Sequence, residues 1–115
     1  MKTILVVDDN EDIRASVGIV LTAAGYLVAY AVDGAEALAH IRKESPACML
    51  LALLMPGIDG WEVRRQQLLD PILALIPTII LSGSEYTHEC MPDTKVMSKP
   101  VNAVDLLDAI QVAVA

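Results

Sequence analysis

The chain has 115 residues, enough for one domain with a well-formed core and too short for a second. Its 15 acidic residues outweigh 8 lysines and arginines, giving a net charge of −7 with no basic cluster, which argues against direct binding to nucleic acid. Hydrophobic residues make up 55% of the chain, yet no apolar run reaches the roughly 18–20 residues of a membrane span, and Met1-Lys2-Thr3-Ile4 enters a strand with no signal-peptide layout, so cytoplasmic residence without membrane contact is the expectation.

Short aliphatic runs alternate with amphipathic segments along the chain, the pattern of an α/β fold with a parallel sheet. Ile4–Val7 reads as a strand that ends in acid at Asp8-Asp9-Asn10. Asn10 or Asp9 can cap the helix that follows, with Glu11 and Asp12 suited to its first turn. Ile13, Val17, Val20, Leu21 and Ala24 recur at helical spacing until Gly25. Leu27–Val32 is a second strand and Ala35–Lys43 a second helix, stopped before Pro46. Cys48–Ala52 is a third strand, followed by a helix from Asp59-Gly60 that loses definition near Asp70-Pro71. Thr78–Leu81 is a fourth strand and Lys95–Met97 a short fifth. Val104–Val114 is a closing helix with Leu107, Ile110 and Val114 facing inward. The stretch Gly83–Thr94 is irregular and has room for a turn or two of helix before Pro92. No repeat, linker or low-complexity tract divides the chain, which reads as one domain over residues 1–115.

Polar residues fall at the C-terminal ends of these strands, the edge where open α/β sheets bind ligands. Asp8 and Asp9 alone would be an ordinary cap cluster, but Ser82 and Lys99 at neighbouring strand ends change the reading. Converging carboxylates repel and call for a counter-cation; Mg²⁺ suits them, since it takes oxygen ligands and retains water. A hydroxyl and an ammonium at the same edge suit the oxygens of a phosphoryl group. Such an assembly needs a nucleophile at its centre, usually a carboxylate, and Ala52 offers none. Cys48 lies in an apolar run and reads as core, and Cys90 reads as simply exposed. Neither has a cysteine or histidine partner at metal-binding spacing. His40 and His88 read as surface residues.

In Val6-Val7-Asp8-Asp9-Asn10, the Leu53–Gly60 loop, Leu81-Ser82-Gly83 and Lys99-Pro100, and in the spacing between them, the chain resembles a response-regulator receiver domain of two-component signalling over essentially its whole length. The resemblance implies a flavodoxin-like (βα)5 sandwich, with a five-stranded parallel sheet in the order 2-1-3-4-5. It implies Mg²⁺ held by Asp8, Asp9 and the backbone carbonyl of Leu54, a phosphoacceptor at position 52, a switch hydroxyl at Ser82, a phosphate partner at Lys99, and a cis Lys99–Pro100 bond. The chain departs from the family at several points. Ala52 stands at the acceptor position, so phosphotransfer should fail and Mg²⁺ binding should weaken. Val96 occupies the place of the switching aromatic. The short span from Ser82 to Lys99 leaves a shortened or missing fourth helix. Ala47 follows Pro46 where an aspartate is common. An introduced Asp-to-Ala change and a natural divergent receiver both account for Ala52.

The resulting expectation is a signalling module, not an enzyme, that acts by protein contact. Its partners would be a sensor histidine kinase or a histidine phosphotransfer domain meeting the acidic edge and the first helix, where Ile13 and Ser16 are candidate contacts, although core packing is the plainer reading of Ile13. An effector or a second copy could use the closing helix. The alternatives are a phosphorylation-independent adaptor and, less well supported, a Mg²⁺-dependent phosphatase-type enzyme. The latter conflicts with the absence of an acid at Asn10 and of room for a cap domain. No glycine-rich turn follows the first strand to cradle a nucleotide, and nothing near Ala115 suggests an output domain.

Overall fold

A computed structural model describes residues 1–83 and 94–115. Five strands, β1 (Thr3–Val7), β2 (Leu27–Ala31), β3 (Cys48–Ala52), β4 (Thr78–Ser82) and β5 (Lys95–Ser98), form one parallel sheet in the order β2-β1-β3-β4-β5. Among the described residues the α-helices are α1 (Glu11–Ala23), α2 (Gly34–Lys43), α3 (Gly60–Leu69) and α4 (Ala103–Val114), with one 3₁₀ turn at Leu73–Leu75. The fold is the flavodoxin-like one expected. The segment expected to carry a shortened or missing helix lies largely outside the described residues, as do Cys90 and His88.

The central strands are apolar on both faces because helices cover both faces of the sheet. Ile4, Val6, Cys48, Leu50, Ile79 and Leu81 pack under α1 and α4, against Val17, Leu21, Leu106 and Ile110. Leu5, Val7, Met49, Leu51 and Ile80 pack on the other side against Ala37, Leu38, Ile41 and Val63 of α2 and α3. Each fully buried aliphatic side chain contributes roughly 1.5–3 kcal/mol.

Each α-helix among the described residues starts on a side-chain cap. Asn10, Asp33, Asp59 and Asn102 each accept a hydrogen bond from the backbone N–H three residues on, satisfying a donor that the helix itself leaves open. Asp33 explains why α2 begins at Gly34, one residue before the expected Ala35. The Glu36 carboxylate takes the Val32 N–H, so β2 stops at Ala31.

In α4 the buried residues are Leu106 and Ile110, four apart on one face, while Leu107 and Val114 flank that face half-buried. Ala24 is exposed, because it caps α1 instead of continuing the buried stripe. His40 is half-buried on α2.

Candidate functional site

Strand register lines up the expected residues along one edge. Val7 pairs with Leu51, Ala52 with Leu81, and Ser82 with Ser98, so Asp8, Ala52, Ser82 and Lys99 all sit at the C-terminal ends of adjacent strands. At the centre, Ala52 is fully buried. The Met55–Asp59 loop folds back beside it, turning at Gly57 with φ of +74° and returning at Gly60, whose N–H donates to the Leu53 carbonyl at 2.8 Å. A methyl on Gly60 would stand 2.2 Å from the Ala52 carbonyl oxygen, so only glycine allows this close return.

Asp8 is buried, and both of its carboxylate oxygens have donors. The Asn10 N–H donates to Oδ1 at 3.0 Å, and the Lys99 Nζ donates to Oδ2 at 2.9 Å as an ion pair. The Asp8 backbone is fixed as well: its N–H donates to the Ala31 carbonyl at 3.1 Å, and its carbonyl accepts from the Arg14 guanidinium at 2.7 Å. Arg14 was not singled out in the sequence. The signal for it was its place one helical turn beyond the Asn10 cap, where its backbone N–H returns to the Asn10 carbonyl.

Lys99 is held at its backbone too, through its N–H to the Ser82 carbonyl at 2.8 Å, and the Lys99–Pro100 peptide is cis. The Ser82 hydroxyl is buried and has no hydrogen-bond partner among the described residues. A buried hydroxyl left open is costly, and it stands at the edge where an incoming oxygen would meet it. Asp9 and the Leu54 side chain are exposed. Val96 is half-buried against the α2–α3 face of the core. Burial pushes the Cys48 thiol up to about 12, which keeps it protonated and inert.

Among the described residues, no group of three or more His, Cys, Asp and Glu side chains could hold a metal ion. Among the described residues, the acids that directly follow a strand end on this edge are Asp8 and Asp9. Two carboxylates with backbone carbonyls and water are oxygen donors of the kind Mg²⁺ accepts. The set fits that ion in type, although Lys99 already takes one of the oxygens.

The chain matches the response regulator receiver domain family over residues 4–111. It is a member of that family. It is 32% identical to the response regulator receiver protein CpdR of Brucella abortus, over 96% of this chain and 95% of that protein. It is 28% identical to the protein PilH of Pseudomonas aeruginosa, over 100% of this chain and 99% of that one. Against longer relatives the match is partial: it spans 32% of the transcriptional regulatory protein PhoP of Bacillus subtilis. Among solved structures, the chemotaxis protein CheY4 of Vibrio cholerae superposes with a TM-score of 0.86 at 29% identity, covering 98% of each chain. A receiver domain of a histidine kinase from Syntrophus aciditrophicus gives 0.90 at 25% identity, covering 99% of this chain and 90% of that one. Among the described residues, no helix is long and apolar enough to cross a membrane.

Proposed function

We propose that this receiver acts by docking and carries no phosphoryl group in its present form. The observation behind this reading is Ala52: a fully buried methyl in the middle of the strand tips, with Asp8 and Lys99 bonded to each other and Ser82 left open. Acyl-phosphate chemistry needs a carboxylate nucleophile at that point, and the neighbours Leu51, Leu53 and Leu54 supply none. In this reading residues 1–115 are a single receiver domain. Asp8, Asp9 and the Leu54 carbonyl would hold Mg²⁺, whose charge would offset that of an incoming phosphate. Ser82 would donate to a phosphate oxygen and Lys99 would pair with it.

The partner class is a sensor histidine kinase or a histidine phosphotransfer domain. The surface for it is the groove of about 390 Å³ between α1 and the segment after β5, lined by Ile13, Ser16, Val20, Lys99, Pro100 and Val101. Ile13 is half-buried there and also packs on the core. An effector or a second copy would use α4, where Val104 and Val112 are exposed. The molecule is not an enzyme, works in the cytoplasm, and does not bind nucleic acid or membrane directly. The site already closed by Asp8 and Lys99 favours, as a second reading, an adaptor that binds its partner without phosphorylation.

The test is to treat the native chain and Ala52→Asp with Mg²⁺ and a small acyl-phosphate donor, then weigh both by mass spectrometry. Gain of one phosphate by Ala52→Asp alone supports a receiver pocket intact around position 52. Gain by neither shows that the pocket is inert beyond that position and favours the adaptor. Gain by the native chain overturns the proposal.

A further inference from the structure

β2 is an outer strand of the sheet, and it lacks the usual devices that keep an open edge from pairing. Charged residues make up 20% of the chain, yet Leu27-Val28-Ala29-Tyr30-Ala31 holds no charge and no proline. The opposite outer strand, β5, begins at exposed Lys95, and lysine is a common guard of such an edge. Leu27 and Tyr30 are each 48% exposed. We infer that β2 pairs with β2 of a second copy, antiparallel about a two-fold axis at Ala29, so that two sheets become one continuous sheet. This contact goes beyond the receiver reading, does not depend on it, and leaves α4 to an effector.

The backbone sets the register. The Leu27 N–H donates to the Lys2 carbonyl at 3.0 Å, and the Ala31 carbonyl accepts from the Asp8 N–H at 3.1 Å. Leu27, Ala29 and Ala31 therefore turn their N–H and C=O groups toward β1, while Val28 and Tyr30 turn theirs outward. The next outward N–H groups on either side are already used. That of Tyr26 donates to the Leu21 carbonyl and that of Val32 to the Glu36 carboxylate, both at 3.1 Å. Val28 and Tyr30 lie between them with no partner for these groups among the described residues.

An axis at Ala29 sets Val28 of each copy opposite Tyr30 of the other. Each such pair exchanges two hydrogen bonds, and every open group on both edges is satisfied. An axis at Val28 or at Tyr30 would instead oppose an open group to the occupied N–H of Tyr26 or Val32. Side chains agree with this register. Val28 packs on the α1 side of the sheet, and the Tyr30 hydroxyl lies over Gly18 of α1. Tyr30 of one copy then meets Val28 of the other on that side, an aromatic and β-branched cross-strand pair. Identical strands related by a two-fold axis are self-complementary, and the contact closes at two copies.

The experiment is sedimentation equilibrium of the native chain, Tyr30→Pro and Val112→Ser from about 10 μM to 1 mM, in dilute buffer and in about 0.5 M salt. The native chain is expected to form dimers whose fraction rises with concentration. Salt should raise it further, since each copy carries a net charge of −7 while β2 carries none, so screening removes repulsion. Tyr30→Pro deletes an outward N–H without touching the ladder to β1. It is expected to weaken association about tenfold or more, through the loss of one backbone hydrogen bond per copy. Val112→Ser, at an exposed position of α4, is expected to change it less than about twofold. A monomer throughout, association that salt weakens, no effect of Tyr30→Pro, or an equal loss with Val112→Ser would each overturn the β2 contact.

Should Tyr30→Pro not fold, cross-linking decides, in a Cys90→Ser background. Ala29 faces its own counterpart across the axis as a non-hydrogen-bonded pair, with Cα atoms about 4.5 Å apart, within reach of a disulfide. Val28 and its counterpart are offset along the strands by more than about 7 Å, beyond that reach. Under mild oxidation Ala29→Cys should yield a linked dimer several times faster than Val28→Cys. Equal rates, or no linked product from Ala29→Cys, would overturn the register and the contact with it.

Discussion

Restoring a carboxylate at position 52 should destabilise the metal-free protein. Ala52 is fully enclosed and stands at the strand tip beside buried Asp8. An ionised side chain there loses its hydration, an effective penalty of several kcal/mol for a buried ion. It also adds a like charge to Asp8, which raises the cost of keeping both ionised. Lys99, already paired with Asp8, can offset only part of this, since one ammonium would then serve two acids. We expect Ala52→Asp to be less stable than the native chain by about 2 kcal/mol at neutral pH in chelator. With urea slopes of about 1–3 kcal/mol/M for small domains, the unfolding midpoint should fall by roughly 1 M. Trp61, the only tryptophan, packs half-buried against the core and reports the transition by fluorescence. Mg²⁺ should narrow or reverse the gap, since a ligand bound only by the folded state contributes about 2.7 kcal/mol at a hundred times its Kd. A midpoint for Ala52→Asp equal to or above the native value in metal-free buffer would refute the repulsion argument.

Glycine replacements should separate backbone conflict from side-chain conflict. Gly60→Ala drives a methyl onto the Ala52 carbonyl and should cost about 3 kcal/mol by thermal or urea unfolding. Gly18→Ala meets only the hydroxyl end of half-exposed Tyr30, which can swing aside, so its effect should stay within about 1 kcal/mol. Gln67→Leu should cost about 2–3 kcal/mol, because the buried Gln67 amide donates to the Leu73 and Ile76 carbonyls at 3.0 and 3.2 Å and the variant leaves both unsatisfied. Hydrogen bonds from Arg65 and Gln66 hold the Glu62 carboxyl down at about 2. A carboxyl depressed in the folded state stabilises above its unfolded pKa, and that contribution is lost as pH falls toward 2. Glu62→Gln should therefore show a shallower loss of stability with acid, and a carboxyl that titrates near its ordinary value by NMR would contradict this.

The strands and α-helices were legible because each strand is a short aliphatic run and each described α-helix begins on a capping side chain, so local signals and the global fold agree; the order of the strands in the sheet came from the resemblance to receiver domains. Asp8, Ser82 and Lys99 were legible as residues of one edge because strand ends in a parallel sheet face the same way. Other features had no local signature. Gln67 reads as a surface residue of α3, and only the return of the chain through Leu73–Thr78 surrounds it with carbonyls and the Thr78 hydroxyl. The choice of Leu106 over Leu107 as the more deeply buried residue of α4 depends on helix rotation against the sheet, which a run of apolar residues leaves open.

The pairing of Lys99 with Asp8 was hidden for a different reason. Residue types told that an ammonium and two acids share an edge, and the usual inference couples each to an external ligand, metal to the acids and phosphate to the lysine. The structure instead joins Lys99 to Asp8 across the edge, with no carboxylate at Ala52 to compete for the ammonium, and such a pairing between ends of non-adjacent strands has no signature in either local segment.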